Sequence, residues 1–464
     1  MFQTICNQIG SDADYGERVR RLDILQRVLE GRLYDVLPYE FHEERGAGGE
    51  YVPLRQRRPS VRYPLARIVV DDSVSLLFGD GHFPAVDSSD GRVRTALADL
   101  ARESGLNAVM LDAGRAGSIG SVAVWFRVLR GRPFFNVVNT KFLTPEWDPQ
   151  EPDRLLRVTE RYKVQGGVLA ARGYLDCEPS GLYWFMRQWD DDAESWFVPL
   201  PVSSPVLPPE LDEARSVRHG LGFVPIAWIR NLPGGDEIDG ACTFAPAIET
   251  GIEIDYQLSQ AGRGLKYSSD PLLLIREPAA PDGEMVRGGG NALLVGPGGD
   301  AKLLEINGTA ALAVIEYVRT LREYALEGVH GNRASADRLS AAQSGRALEL
   351  MNQGLIWLAD RLRVSYGAAL LQLAAMVVRA SNVFPLRIQG QVLEPLDEAA
   401  RLSLKWPRWV VPGADDRNRD AQTLSTLTEA GLLSRQTAVT SIADVYDIED
   451  VAGELARISK QESA

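Results

Sequence analysis

One run constrains this chain more than any other. From about Ser340 to Arg379 it keeps the 3.6-residue periodicity of an amphipathic helix, long enough to predict a rod of ~55–60 Å. Ser340 and Gln343 stand at capping-box spacing, where the serine accepts from a first-turn amide and the glutamine reaches back. Gly354 and Gly367 are points where such a rod can bend. Directly before it lies "EGVHGNRASADRLSA", polar and free of aromatics, and before that a second strong helix, "TAALAVIEYVRTLREYAL", from Thr309. A polar loop held between two good helices has fixed ends and a free middle.

A chain of 464 residues exceeds one core and predicts about three domains by length. Its 45% hydrophobic and 24% charged content is that of an ordered globular protein. A net charge of −13 argues against gripping nucleic acid through neutralised phosphates, which needs clustered Lys and Arg. It is compatible with a protein that nucleic acid slides past. Cys6, Cys177 and Cys242 are scattered and odd in number, which predicts a reducing compartment and no disulfide framework. The first residues lack the pattern of a signal peptide, and "VSYGAALLQLAAMVV" is shorter than the ~20 residues that span a bilayer. The expectation is a soluble cytoplasmic product.

The chain opens on a helical pattern, "YGERVRRLDILQRVLEGRLYDVL", with Asp14 as its cap and Pro38 as its stop. A second helix fits "YPLARIVVDDSVSLLFGDG". From about Asn107 to Arg230 the pattern reads as short alternating strands, among them "SVAVWFRVL", "RVTERYKV", "GLYWFMRQW" and "ESWFVPL". Helix returns in "FAPAIETGIEIDYQLSQAG", and three or four short strands with Gly-rich turns fit "DPLLLIREP…DAKLLEI". After the long helix come a β segment, "FPLRIQG…LSLKWPRWVV", a hydrophilic link "PGADDRNRD", and short terminal helices in which Gly431 stops one and Ser434 caps the next.

Catalytic and ligand motifs are weak. "GPGGDAK" lacks the Ser or Thr after its Lys that a phosphate loop requires, and reads as a hairpin turn. "FHEER" puts His42 beside Glu43 and Glu44 without the second His of a zincin. Asp190, Asp191, Asp192 and Glu194 offer carboxylates for a cation but read as a solvated turn. His42, His82, His219 and His330 supply no base to a serine in a nucleophile elbow, and Ser344 sits inside a helix start. The expectation is no enzyme, no metal and no cofactor.

Five segments, in order, resemble a tailed-bacteriophage portal protein of the SPP1-like type that keeps a C-terminal crown. They are "ARIVVDDSVSLLFGDG"; "GFVPIAWIRNLPGG" with the helix after it (Pro225, Asn231, Asp255, Ser259); "LEINGTAALAVIEYVRTLREYALEGV"; "AQSGRALELMNQGL" (Ser344, Gly345, Ala347, Leu348); and the C-terminal "TLTEAGLLSRQTAVTSI" (Gly431, Leu433, Ser434, Thr437). The chain departs from the family in a compact Gly-rich insertion and in lacking Pro-Asp in the loop.

The resemblance implies an α+β portal fold. Its parts are a wing over 1–240, stem helices at 241–263 and 309–326 around a β-rich clip at 264–308, a tunnel loop at 327–339, a long helix and wing β segment at 340–412, and a crown at 413–464. It implies a cyclic homo-oligomer, a dodecamer if the family is followed, at one capsid vertex. Double-stranded DNA would pass through it. Large terminase, head–tail adaptor, major capsid and scaffolding proteins would dock on it, and no membrane is involved. Tunnel contacts fall to Arg333, Ser335, Asp337 and Arg338, and clip contacts to Arg276, Glu277 and Arg287. Glu249, Glu253 and Asp255 on one stem helix, and Arg319 and Arg322 on the other, are expected to line the channel or pair between subunits, offsetting the Glu249–Glu253 like-charge spacing. Alternatives are the portal of a gene transfer particle or prophage remnant, a nucleotide- or sugar-processing α/β enzyme using the Gly-rich turn at 296–299, and a β-rich adhesion module.

Overall fold

Helices form where apolar residues recur every three or four positions and end where glycine or proline intervenes. In chain order they are α1 (Phe2–Cys6), α2 (Glu17–Leu29), α3 (Leu65–Phe78), α4 (Gly91–Glu103), α5 (Leu106–Gly117), α6 (Gly166–Ala171), α7 (Ile248–Ser269), α8 (Thr309–Gly328), α9 (Gln353–Val383), α10 (Ala414–Glu429), α11 (Arg435–Ile442) and α12 (Val451–Glu462). The computed structural model describes every residue except 11, 175, 205–207, 270–271, 279–294, 305–308, 333–349, 351, 410–413, 447, 449 and 463–464.

The strands are β1 (Ala85–Ser88), β2 (Ser121–Leu129), β3 (Arg132–Asn139), β4 (Leu143–Trp147), β5 (Leu155–Gln165), β6 (Leu182–Trp189), β7 (Ala193–Trp196), β8 (Leu200–Pro201), β9 (Val217–Arg218), β10 (Ile226–Arg230), β11 (Leu272–Pro278), β12 (Val295–Leu304), β13 (Arg387–Ile388), β14 (Gln391–Val392) and β15 (Leu402–Lys405). All named pairings are antiparallel. One sheet runs β10-β2-β3, and a six-stranded sheet runs β4-β5-β6-β7-β9 with β8 on β6. The mixture of helix and sheet is that of an α+β protein.

Contacts divide the chain into two units. The first comprises Met1–Ser11, Arg27–Ala66 and Pro246–Gly328; the second comprises Asp12–Gln26, Arg67–Ala245 and Val329–Ala464. Segments of residues 1–240 fall in both units. The helix pair α7 and α8 keeps company with the N-terminal segments, because Tyr34, Arg57, Val61 and Tyr63 hydrogen-bond to α7.

In the second unit α9 is the core helix. Leu358, Ala359, Leu362, Tyr366, Leu370, Leu373 and Val377 are buried along it, and it contacts β10 and β15. It is long and apolar enough to cross a membrane by composition, yet 61% of its most apolar window is buried inside the unit. It runs four residues past Arg379 because no breaker comes until Pro385, which holds Phe384 extended. Gly367 faces Leu404 and Trp406, and an added Cβ would sit 3.4 Å from each. The expected start at Ser340 lies outside the described residues.

A buried polar network holds the second unit's sheet ends. Asn231 donates to Ala241 O (2.9 Å) and Thr243 Oγ1 (2.8 Å), and accepts from Tyr366 Oη (3.2 Å). Asp239, 2% exposed, accepts from two Arg18 nitrogens, one on each oxygen and both at 2.8 Å, and from Arg21 on Oδ2 at 2.8 Å. The remaining Arg18 nitrogen caps the carbonyls of Thr140 (3.0 Å) and Leu143 (2.8 Å).

Several expectations are corrected. Residues 106–117 are helical rather than β, with Leu106, Met110, Ala113 and Gly117 on the buried face. Helix α4 was not anticipated, although Asp90 caps it by accepting from Arg92 N at 2.8 Å. Helix α2 stops before Gly31, whose φ of +70° no helix interior adopts, and Asp14 pairs with Lys163. "GPGGDAK" lies within β12, not in a turn: Val295 faces Pro278 and Asp300 faces Arg276, so Gly296 to Gly299 bulge between the two pairs. The link "PGADDRNRD" is mostly the first turns of α10. Gly431 (φ +69°) and the Ser434 cap, accepting from Thr437 N at 3.1 Å, stand where the sequence puts them.

Candidate functional site

The first unit carries the most distinctive arrangement, two helices bracketing a β-hairpin: α7, β11, β12, α8. The base of α7 is fixed by side chains that leave the helix backbone intact. Tyr34 Oη donates to Asp255 Oδ2 and Tyr63 N to its Oδ1, both at 2.6 Å. Ser259 Oγ accepts from Val61 N at 3.0 Å and donates to Asp255 O at 2.7 Å, while Tyr256 Oη donates to Arg57 O at 2.8 Å. Burial pushes the Asp255 carboxyl up to about 6, outweighing the two donors and the nearby Arg62. The same burial and the adjacent carboxylate raise the Tyr34 phenol, so Tyr34 remains the donor.

This removes Asp255 from the set expected to line a channel or join subunits. It is 6% exposed and spent on partners in its own unit. Glu249 is exposed and accepts from Phe2 N at 3.3 Å. Glu253 is half-buried and accepts from Gln257 Nε2 at 2.7 Å. On α8, Arg319 pairs with Glu316 one turn away at 3.2 Å, both exposed. Arg322 is half-buried, and its Nε has no hydrogen-bond partner among the described residues. The first unit thus supplies partners of its own to Glu249, Glu253 and Arg319.

What the charge pattern hid is the apolar surface of α8. Leu312, Ile315, Tyr317 and Tyr324 are exposed, Leu312 by 68% and Tyr324 by 66%. With Glu316, Arg319 and Glu323 between them, more than half of the circumference is uncovered, while Ala325 and Leu326 are buried. The sequence held a signal: Leu312 and Ile315 share the face of α8 that carries Glu316, Arg319 and Glu323, where an amphipathic helix is ordinarily polar. Helix α9 has a similar face in the second unit, where Trp357, Arg361, Val364 and Ala368 follow helical spacing and are exposed. Isolated exposed apolar residues need no explanation, but a row along a helix marks an interaction surface.

The β-hairpin insertion has two strands among the described residues, where three or four were expected, and α7 reaches six residues into the range assigned to the clip, ending at Ser269. Arg276 faces Asp300 across the hairpin, and Glu277 falls at the register shift. Arg287 lies outside the described residues, as do Arg333, Ser335, Asp337, Arg338 and Ser344. The loop's first residues are packed: Val329 and Gly331 are buried, and His330 meets the Trp357 ring edge-on at 6.0 Å.

The other motifs take ordinary places. Asp190 Oδ1 accepts from Asp192 N (3.0 Å) and Ala193 N (2.7 Å), closing the β6–β7 turn. Glu44 pairs with Arg57 and Arg263. Among the described residues no group of three or more His, Cys, Asp or Glu is placed to hold a metal.

No family model and no curated protein matches the chain. Among solved structures it is similar to the neck of a native GTA particle computed with C12 symmetry, at 13% identity and a TM-score of 0.38, covering 82% of this chain and 88% of that one. It is also similar to the neck of an empty GTA particle computed with C6 symmetry, at 12% identity and a TM-score of 0.39 with the same coverage.

Proposed function

We propose that the chain is a portal subunit that closes with copies of itself into a ring, through which double-stranded DNA is packaged and ejected. One observation carries the reading: α8, on the return side of a helix–hairpin–helix unit, leaves Leu312, Ile315, Tyr317 and Tyr324 uncovered. Head-to-tail contacts between copies cover such a face, and they form rings when the rotation closes. The order of elements supports the same reading, because the five segments resembling portal proteins fall in that order along the chain. The charge fits as well. A chain of net charge −13 lets DNA slide, since each phosphate neutralised by a cation would add affinity through counterion release.

In this reading the hairpin between α7 and α8 is the docking platform for large terminase and then for head–tail adaptor proteins. Capsid and scaffolding proteins contact the second unit, and the protein has no enzymatic activity of its own. The test replaces Leu312 and Ile315 with Asp. Because Leu312 and Ile315 are exposed in the single chain, the variant keeps wild-type circular dichroism but fails to assemble, and particles made with it lack DNA. Rings and DNA content equal to wild type would take α8 out of the interface.

A further inference from the structure

The second unit contains a cavity of about 710 Å³ that the portal reading does not use. It lies where the β2–β3 hairpin meets the β9 edge and the turn after α9. Trp125, Phe126 and Trp189 line it, with Trp125 and Trp189 edge-to-face at 5.3 Å. We propose that it is a docking site for a linear segment of a partner protein in which a carboxylate stands beside an apolar or aromatic side chain.

Charge makes the first argument. The chain carries −13 overall, yet four arginines line this cavity, Arg127, Arg130, Arg218 and Arg387. Arg130 and Arg387 are exposed and have no ion-pair partner among the described residues; Arg218 reaches Asp192 only at 3.8 Å, between two exposed groups. The one lining carboxylate, Glu194, is already met by Arg187 at 3.4 Å, and Arg187 also holds Glu160 at 2.8 Å. The unspent charge is positive, and a guanidinium selects a carboxylate by a bidentate fork.

The mouth makes the second. Leu129 and Val217 are exposed at the rim, 47% and 57%. A small anion would leave both in water, whereas an extended segment placing a carboxylate at the arginines covers them with its apolar neighbours. Arg130 sits at a left-handed turn position (φ +52°), where Asn or Gly is the usual choice, so its presence at the rim works against backbone preference.

The test is selection from a displayed library of hexapeptides on the purified full chain, against the double variant Arg130→Asn, Arg387→Ala. Asn suits the left-handed turn and both positions are exposed, so the variant's circular dichroism stays that of wild type. Wild type is expected to enrich peptides joining Asp or Glu to Leu, Ile, Phe or Trp. The best of them should change tryptophan emission on binding and lose about tenfold or more in affinity on the double variant. Replacing its acidic residue by the amide should cost a similar factor, and AMP and inorganic phosphate should not displace it. Enrichment that the double variant shares, selection of basic peptides, or displacement by AMP would each overturn the proposal, the last by assigning the cavity to a nucleotide.

Discussion

Asp255→Asn tests the anchoring of the helix pair quantitatively. Burial lifts the Asp255 carboxyl from its ordinary 3.8 to about 6 in the folded chain. Native protein therefore binds this proton more tightly than unfolded protein. The stabilisation from the proton is fully present below about pH 4 and is lost as pH rises through about 6. At about 1.4 kcal/mol per unit, the ionised carboxylate costs the fold about 3 kcal/mol at neutral pH relative to a group that never ionises. Asparagine is such a group, and it keeps an acceptor for Tyr63 N. It loses one good acceptor, because Tyr34 and Tyr63 donate to different oxygens, at a cost of about 1 kcal/mol. The variant should be more stable than wild type by about 2 kcal/mol at pH 7 and less stable by about 1 kcal/mol at pH 4. Urea unfolding read by pulsed hydrogen exchange on peptides of α7 measures this locally, which matters in a chain of two units. A destabilised variant at pH 7, or a wild type whose α7 stability is flat between pH 4 and 7, would refute the reasoning.

Three further outcomes follow from packing. Gly117→Ala would put a Cβ 2.3 Å from the buried Tyr366 hydroxyl and 2.9 Å from Val122, lowering stability of the second unit by about 1–3 kcal/mol in denaturant titration. Asp239→Ala strips Arg18 of its buried partner and should cost about 3–5 kcal/mol in the same assay, with Asp239→Asn costing less. Ser434→Ala removes a cap worth about 1 kcal/mol, seen as faster hydrogen exchange in α11 and unchanged exchange in α9.

Legibility followed the physics of each element. Local signals carried α3, α7, α8 and the Gly431–Ser434 break, because periodicity and caps are read within one turn of chain. Helix α5 was misread although Leu106, Met110, Ala113 and Gly117 recur at helical spacing; what stayed hidden was the need for Gly117, which lies against Tyr366 and Val122. Charge on α7 was legible and its use was not: Glu249 and Asp255 look alike in sequence, but only Asp255 meets Tyr34 and Tyr63, which lie about 200 residues away in the chain. The arginine-rimmed cavity was equally invisible, being assembled from β2, the β6–β7 hairpin, β9 and the turn after α9.

The central claim is a closed ring, and the mass of the assembled chain tests it most directly. Native mass spectrometry at micromolar concentration should give one closed stoichiometry, a high multiple of 51.0 kDa, with no ladder of intermediate sizes. Only monomers and dimers across several salt concentrations would contradict it.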